Sequence, residues 1–149
     1  TDIGLDDVAA GLAAADLSPS RMALIRLRRG GVVLNDAYNA NPTSMRAALA
    51  ALGQVEATRR IAILGVMAEL GERSPELHDR IAREAAELGI EVIAVGTDWY
   101  GTRQLAGVAD VLESVPPPGP GEAVLLKASR VAQLDRIADE WSRTDRQSR

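Results

Sequence analysis

The densest group of side chains able to hold a ligand is one octapeptide, Asn35-Asp36-Ala37-Tyr38-Asn39-Ala40-Asn41-Pro42. Asp36 offers an acceptor for ribose hydroxyls or amines, and Asn39 and Asn41 bring amides that both donate and accept. The same residue types also serve turns and helix caps, which need no ligand. Nothing in the octapeptide pairs a nucleophile with a base, so its chemistry is binding. A second group, Lys127-Ala128-Ser129-Arg130, sets two cations and a hydroxyl at what reads as a helix start, where free backbone N–H groups favour a carboxylate or phosphate. The plainer alternative is that Ser129 caps the helix and the cations are solvated. Lys127 is the only lysine, so any role that needs a lysine ammonium falls on it.

A third segment, Gly65-Val66-Met67-Ala68-Glu69-Leu70-Gly71-Glu72, carries glycines that let backbone turn tightly or approach a ligand. Within it Glu69 is a candidate to hold an amine or a metal-bound water, or is a solvated loop glutamate. His78 is the only histidine and there is no cysteine, which argues against zinc and against thiolate chemistry. His78 reads mainly as a structural hydrogen-bonding residue, with direct ligand contact the second choice. The chain has no Gly-Lys-Ser/Thr phosphate loop, no dinucleotide glycine fingerprint and no placeable Ser-His-Asp set.

These groups need elements to position them. Residues 23–27 and 32–34 are extended runs around Arg28-Arg29-Gly30-Gly31, a hairpin signal. Short apolar runs at 61–64, 90–95 and 123–126 read as buried strands. Between them, 44–52 reads as a helix opened by Asn41 or Thr43 with Pro42 in its first turn, and 74–88 as a helix stopped by Gly89. Residues 102–106 carry a weak helical signal, 108–115 fit strand or helix, and the proline-rich 116–121 is an irregular connection. An amphipathic helix over 130–141 and a fraying polar tail over 144–149 complete the reading. Alternating strands and helices of this length predict an α/β fold, Rossmann-like, with three layers, a mostly parallel sheet and an N-terminal β-hairpin. Ligands of such sheets bind beyond the carboxyl ends of the strands, where 35–42, 65–72, 96–99 and 127–130 all fall.

Composition sets the outer limits. At 149 residues, 46 % hydrophobic and 26 % charged, the chain is long enough for one domain with its own core. A net charge of −4 disfavours nucleic acid as a partner. No apolar run reaches membrane-spanning length, no leader is evident, and the absence of cysteine sits easily with the cytoplasm. The start at Thr1, and a short helical segment over 5–15 followed by Ser18-Pro19-Ser20, read as a piece of something longer with a linker near residue 18.

The string Asn35-Asp36-Ala37-Tyr38-Asn39-Ala40-Asn41-Pro42-Thr43-Ser44-Met45 resembles the hallmark loop of the Mur ligase family, in the branch that joins D-alanyl-D-alanine to UDP-N-acetylmuramoyl-tripeptide. Supporting motifs follow the family order: Ser20-Arg21-Met22, Leu64-Gly65-Val66-Met67-Ala68-Glu69-Leu70-Gly71, His78, and Leu125-Leu126-Lys127-Ala128-Ser129-Arg130. The resemblance implies the C-terminal domain of a three-domain ATP-dependent amide ligase, with 1–18 the tail of the central ATPase domain plus linker and 19–149 the C-terminal domain. The phosphate loop, the Mg2+ ligands and a carbamylated lysine then belong to the central domain, against which this one packs.

By the same resemblance, Arg21 reaches ATP phosphate near the hinge, Asp36 takes the ATP ribose, and Asn39 faces the nucleotide. Asn41 then faces the dipeptide, while Lys127, Ser129 and Arg130 steady its carboxylate. Glu69 and His78 stay structural or stand behind the contact residues, and no residue here is assigned to bond chemistry. Val66 stands where the family commonly has an acid, and Ala128 where glycine is frequent. The fragment alone is expected to be inactive and to bind no cofactor tightly. The alternatives are a non-catalytic nucleotide- or amino-acid-binding module and the C-terminal domain of another Mur-type amide ligase.

Overall fold

The computed structural model describes residues 22–148. The expected lead-in helix over 5–15, the linker at 18–20, the boundary near residue 18 and Arg21 lie outside the described residues. The hairpin forms as its sequence requires: β1 (Ala23–Arg26) runs antiparallel to β2 (Val32–Asp36), with Ala23 opposite Asn35 and Arg26 opposite Val32. Gly30 closes the turn at φ +108°, a conformation that L side chains rarely adopt.

The remaining strands are β3 (Arg59–Leu64), β4 (Ile90–Val95), β5 (Arg103–Leu105) and β6 (Glu122–Lys127). They make one six-stranded sheet in the order β1-β2-β6-β3-β4-β5, parallel throughout except for the hairpin. Among the described residues four α-helices cover it: α1 (Pro42–Gln54), α2 (Ser74–Glu87), α3 (Val108–Ser114) and α4 (Asp135–Gln147). Alternate residues of each strand feed two separate cores. Leu34, Leu64 and Leu125 pack with Met45, Leu49 and Ile81 under α1 and α2. Val33, Ile63 and Leu126 pack with Val111, Ile137 and Trp141 under α3 and α4. Strands buried on both faces must be apolar without alternation, which explains the continuous runs in the sequence. Among the described residues no helix is long and apolar enough to cross a membrane.

The sequence reading holds for the hairpin, for α1 and α2, and for the central strands, and it differs at the C-terminal side. Residues 102–106 do not form a helix: Arg103 to Leu105 pair with Ile93 to Val95 as a short edge strand. Gly101 and Gly107 leave too few residues between them for a stable helix, and strand pairing satisfies the backbone instead. Residues 108–115, open to either form, become α3. The helix expected over 130–141 is broken. Arg130–Ala132 make a single 3-10 turn, Gln133 takes a left-handed φ of +55°, and α4 begins only at Asp135. The cause is the grip of the sheet on the preceding chain, where Ser129 N–H donates to Val66 O at 2.9 Å. Ala128 also lies so close that a Cβ on Gly65 would come within 2.6 Å of its methyl group. The tail does not fray at 144, because Asp145 turns inward and accepts from the N–H groups of Arg28 at 2.7 Å and Arg29 at 3.3 Å.

Connections leave adjacent strands in opposite directions on both sides of β6, and the β2 side is where Asp36 and Lys127 meet. The chain after β2 turns to α1 on one face, whereas the chain after β6 turns to α4 on the other. Divergence of this kind opens a crevice between the two strand ends, the usual ligand position in open α/β sheets.

Two glycines make opposite tests of this packing. A Cβ on Gly31 would meet Pro118 O at 2.1 Å, whereas one on Gly53, inside α1, meets nothing within 4 Å. Gly31→Ala is expected to lower unfolding free energy by about 1–3 kcal/mol through overpacking. Gly53→Ala is expected to raise it by roughly 0.5–1 kcal/mol. Urea denaturation of both variants beside the parent chain checks the pair.

Candidate functional site

At the β2/β6 crevice the two strands end in register, with Asp36 opposite Lys127. Both side chains leave the sheet on the α1 face. The Lys127 ammonium donates to Asp36 Oδ2 at 2.7 Å and to the carbonyl of Asn39 at 2.9 Å. Its side chain is only 2 % exposed and that of Asp36 12 %. The second Asp36 oxygen accepts from Met22 N–H at 3.3 Å. The pair therefore ties the ends of β1, β2 and β6 to the loop between β2 and α1.

That loop is built by local hydrogen bonds. Asn41 caps α1 with a full capping box: its Oδ1 accepts from Ser44 N–H at 2.8 Å, and Ser44 Oγ accepts from Asn41 N–H at 3.0 Å. Pro42 sits in the first turn, where a missing N–H costs nothing. Asn39 Oδ1 accepts from Ala40 N–H at 2.8 Å. Both asparagines thus spend their carbonyl oxygens on the backbone and keep their amide N–H groups for acceptors on a ligand. Asp36, Tyr38, Asn39, Asn41, Ser44 and Lys127 together line a cleft of about 240 Å³. Complete small-molecule sites run from about 300 to 1,000 Å³, so this cleft suits part of a ligand.

Lys127 and Ser129 differ from the sequence reading. Lys127 is buried rather than solvated, and two of its three N–H groups are taken by Asp36 and the Asn39 carbonyl. Ser129 does not start an α-helix. Its hydroxyl is buried without a hydrogen-bond partner among the described residues, and only a three-residue 3-10 turn follows it. Arg130 alone of the three is exposed, with its guanidinium carbon 5.6 Å from the centre of the Tyr38 ring. A second, larger cleft of about 480 Å³ lies beside it, lined by Arg130, Val131, Gln133, Asp135 and Arg136.

The 65–71 segment stands next to the β6 turn and is fixed from behind. His78 is fully buried; its Nε2 accepts from Met67 N–H at 2.9 Å, and its Nδ1–H donates to Ser74 O at 2.5 Å. Burial lowers its pKa, outweighing the bond to Ser74. Trp99 and Tyr100 pack their rings against it at 5.0 and 4.9 Å. Tyr100 Oη donates to Gly65 O at 2.7 Å, and burial pushes that phenol upward. Gly65 N–H in turn donates to Lys127 O at 3.0 Å. Glu69 has a left-handed φ of +65° and is exposed.

Sequence reasoning missed Ser44, Tyr100 and the second cleft. One signal was available. The chain has only two tyrosines, two tryptophans and no phenylalanine, and Tyr38, Trp99 and Tyr100 all lie just past strand ends. No group of three His, Cys, Asp or Glu among the described residues is arranged to hold a metal ion.

A family model described as Mur ligase, glutamate ligase domain, matches residues 20–140. The chain belongs to the Mur ligase family. It is 39 % identical to the UDP-N-acetylmuramoyl-tripeptide–D-alanyl-D-alanine ligase of Mycobacterium tuberculosis H37Rv, in a match that covers 91 % of this chain and 33 % of that protein. It is 36 % identical to the protein of the same name in Escherichia coli K12, over 71 % of this chain and 24 % of the relative. The chain thus spans about a third of the length of the curated relatives it matches. Among solved structures, a MurF crystal structure from Acinetobacter baumannii superposes with a TM-score of 0.75 at 26 % identity, covering 95 % of this chain and 34 % of the other. The Thermotoga maritima MurF ligase, solved in complex with ADP, shares the fold with a TM-score of 0.68 at 24 % identity, over 86 % of this chain and 31 % of that one.

Two outcomes follow from this geometry. Lys127→Met removes a buried ammonium that bonds both Asp36 and the Asn39 carbonyl and is expected to lower unfolding free energy by about 3–5 kcal/mol, measured by urea denaturation. His78 is held neutral, with a pKa below its ordinary 6.5, so the unfolded chain binds more protons than the folded one just below that value. Stability is expected to be full above pH 6.5 and to fall as pH drops beneath it. His78→Gln should be less stable at pH 7.5 and lack that part of the slope in a pH series of thermal melts.

Proposed function

We propose that this chain is the C-terminal domain of a cytoplasmic ATP-dependent amide ligase that joins D-alanyl-D-alanine to UDP-N-acetylmuramoyl-tripeptide. Residues 1–18 are then the tail of the central domain with its linker, and 19–149 the closing domain. The observation that carries this reading is the 39 % identity, over 91 % of the chain, to a relative of that name. The crevice geometry supports it. A carboxylate fixed at a strand end suits ribose hydroxyls, and the free amides of Asn39 and Asn41 suit phosphate or carbonyl oxygens. In this reading Arg21 meets ATP phosphate near the hinge, Asp36 and Asn39 face the nucleotide, and Asn41 and Arg130 face the dipeptide, with Lys127 and Ser129 behind them.

ATP, when bound with Mg2+, supplies the phosphoryl group that activates the tripeptide carboxylate. By the family resemblance, Mg2+ belongs to the central domain and the nucleotide phosphates. The residues of this chain bind and orient. The 240 Å³ cleft takes one side of the nucleotide, and closure against the central domain completes the pocket and excludes water from the acyl transfer.

The test uses the chain joined to its upstream domains. Phosphate release should require ATP, Mg2+, the UDP-linked tripeptide and the dipeptide together, and the isolated 149-residue chain should release none above background. Asp36→Asn in the joined protein is expected to lower kcat/KM for ATP about ten- to a hundredfold, the range of one lost charge-assisted hydrogen bond. Nucleotide-independent binding of the dipeptide by the isolated chain, with no turnover by the joined protein, would favour a non-catalytic binding module instead.

A further inference from the structure

His78 is a fully buried titratable side chain to which the proposed function gives no task. Its partners fix its tautomer. The Ser74 carbonyl can only accept, so Nδ1 carries the proton; the Met67 N–H can only donate, so Nε2 is bare and accepts from it at 2.9 Å. Burial lowers the pKa of the ring, which keeps Nε2 bare at neutral pH. A leucine would fill much the same space without taking two polar atoms out of water. What the imidazole adds is a hold on one backbone N–H that belongs to no helix or strand.

That N–H stands next to the residue that holds the end of β6. Ser129 N–H donates to Val66 O at 2.9 Å, and Gly65 N–H donates to Lys127 O at 3.0 Å. These two bonds carry the parallel pairing of β3 with β6 beyond the last rung, where Leu64 lies opposite Lys127. The 127–129 stretch therefore takes its position from 65–66, and the next residue, Arg130, reaches over the Tyr38 ring. The two ends of this hold have separate anchors. Tyr100 Oη donates to Gly65 O at 2.7 Å, whereas His78 takes Met67 N–H. Two residues further on, Glu69 has a left-handed φ of +65°, which a residue with a side chain keeps only where its surroundings impose it.

We propose that His78 is a positioning residue for the dipeptide side of the site, acting through its bare Nε2 on Met67, and through Val66 on Ser129 and the turn that carries Arg130. This role rests on the function proposed above. The nucleotide side depends on it less, because Lys127 is fixed by its own bonds to Asp36 and the Asn39 carbonyl. The imidazole touches no substrate; it sets the backbone from which the contact residues project.

Two amide variants of the joined protein separate positioning from packing. His78→Asn keeps an N–H donor near Ser74 O and leaves Met67 N–H without its acceptor. His78→Gln, one methylene longer, brings a carbonyl oxygen toward Met67 N–H. Both take the ring away from Trp99 and Tyr100, so both should lower the melting temperature. His78→Asn should raise KM for D-alanyl-D-alanine about three- to tenfold, the range of one lost neutral hydrogen bond, with kcat and KM for ATP unchanged. His78→Gln should restore most of that loss. Equal dipeptide KM in the two variants, or a parallel rise in KM for ATP, overturns the positioning role. So does a failure to fold, by His78→Asn alone or by both variants, since the residue then serves folding. In each of these cases ligation by the parent leaves the functional reading standing. A joined parent protein with no dipeptide-dependent phosphate release overturns both.

Discussion

A single buried ammonium organises the ligand edge of this domain. Lys127 reaches the last rung of β6 and meets Asp36 on the last rung of β2, with the Asn39 carbonyl as its second acceptor. Two ions removed from water are tolerable only when their bonds are well made, and these are. Because one partner ends a strand and the other ends its neighbour, the pair fixes where β2 stops pairing and where the 37–41 loop begins. The capping box at Asn41 then sets the start of α1 within a few residues of the ion pair. Loop shape, helix start and carboxylate orientation are thus parts of one arrangement.

The clefts follow from topology as much as from side chains. Helices after β2 and β6 leave on opposite faces, so the space between those strand ends is filled by neither. Behind it, the buried His78 and Tyr100 hold the 65–71 segment against the β6 turn through Met67 and Gly65. Buried polar groups behind the strand ends therefore govern the position of the segments that border the clefts. The two clefts meet where the Arg130 guanidinium lies over the Tyr38 ring.

The sequence showed the elements governed by local rules and hid those governed by distant ones. Asn41, Pro42 and Ser44 lie within four residues, and the start of α1 is legible from them. Buried strands are legible because both faces are covered. The setting of Lys127 was not, since its partner is 91 residues away and an isolated lysine beside a serine looks like a solvated cation. Likewise the break at Gln133 follows a stretch held against Gly65 and Val66 from the neighbouring strand end, which no pattern in 128–141 records. Arg136 escaped attention for the same reason: it shares a cleft with Arg130 only after that break.

The opposite rim of the sheet is stitched as tightly as the ligand rim is open. Asp145, near the end of α4, holds the hairpin turn through Arg28 and Arg29, Pro118 closes on Gly31, and Thr58 N–H donates to Gly121 O at 2.8 Å. These contacts join segments up to 117 residues apart. The last helical turn is therefore a fastening for the first hairpin, not a trailing end. A premature stop codon at 145 would leave two hairpin N–H groups without their acceptor and loosen the antiparallel edge, while every residue that lines the clefts remained in the translated chain.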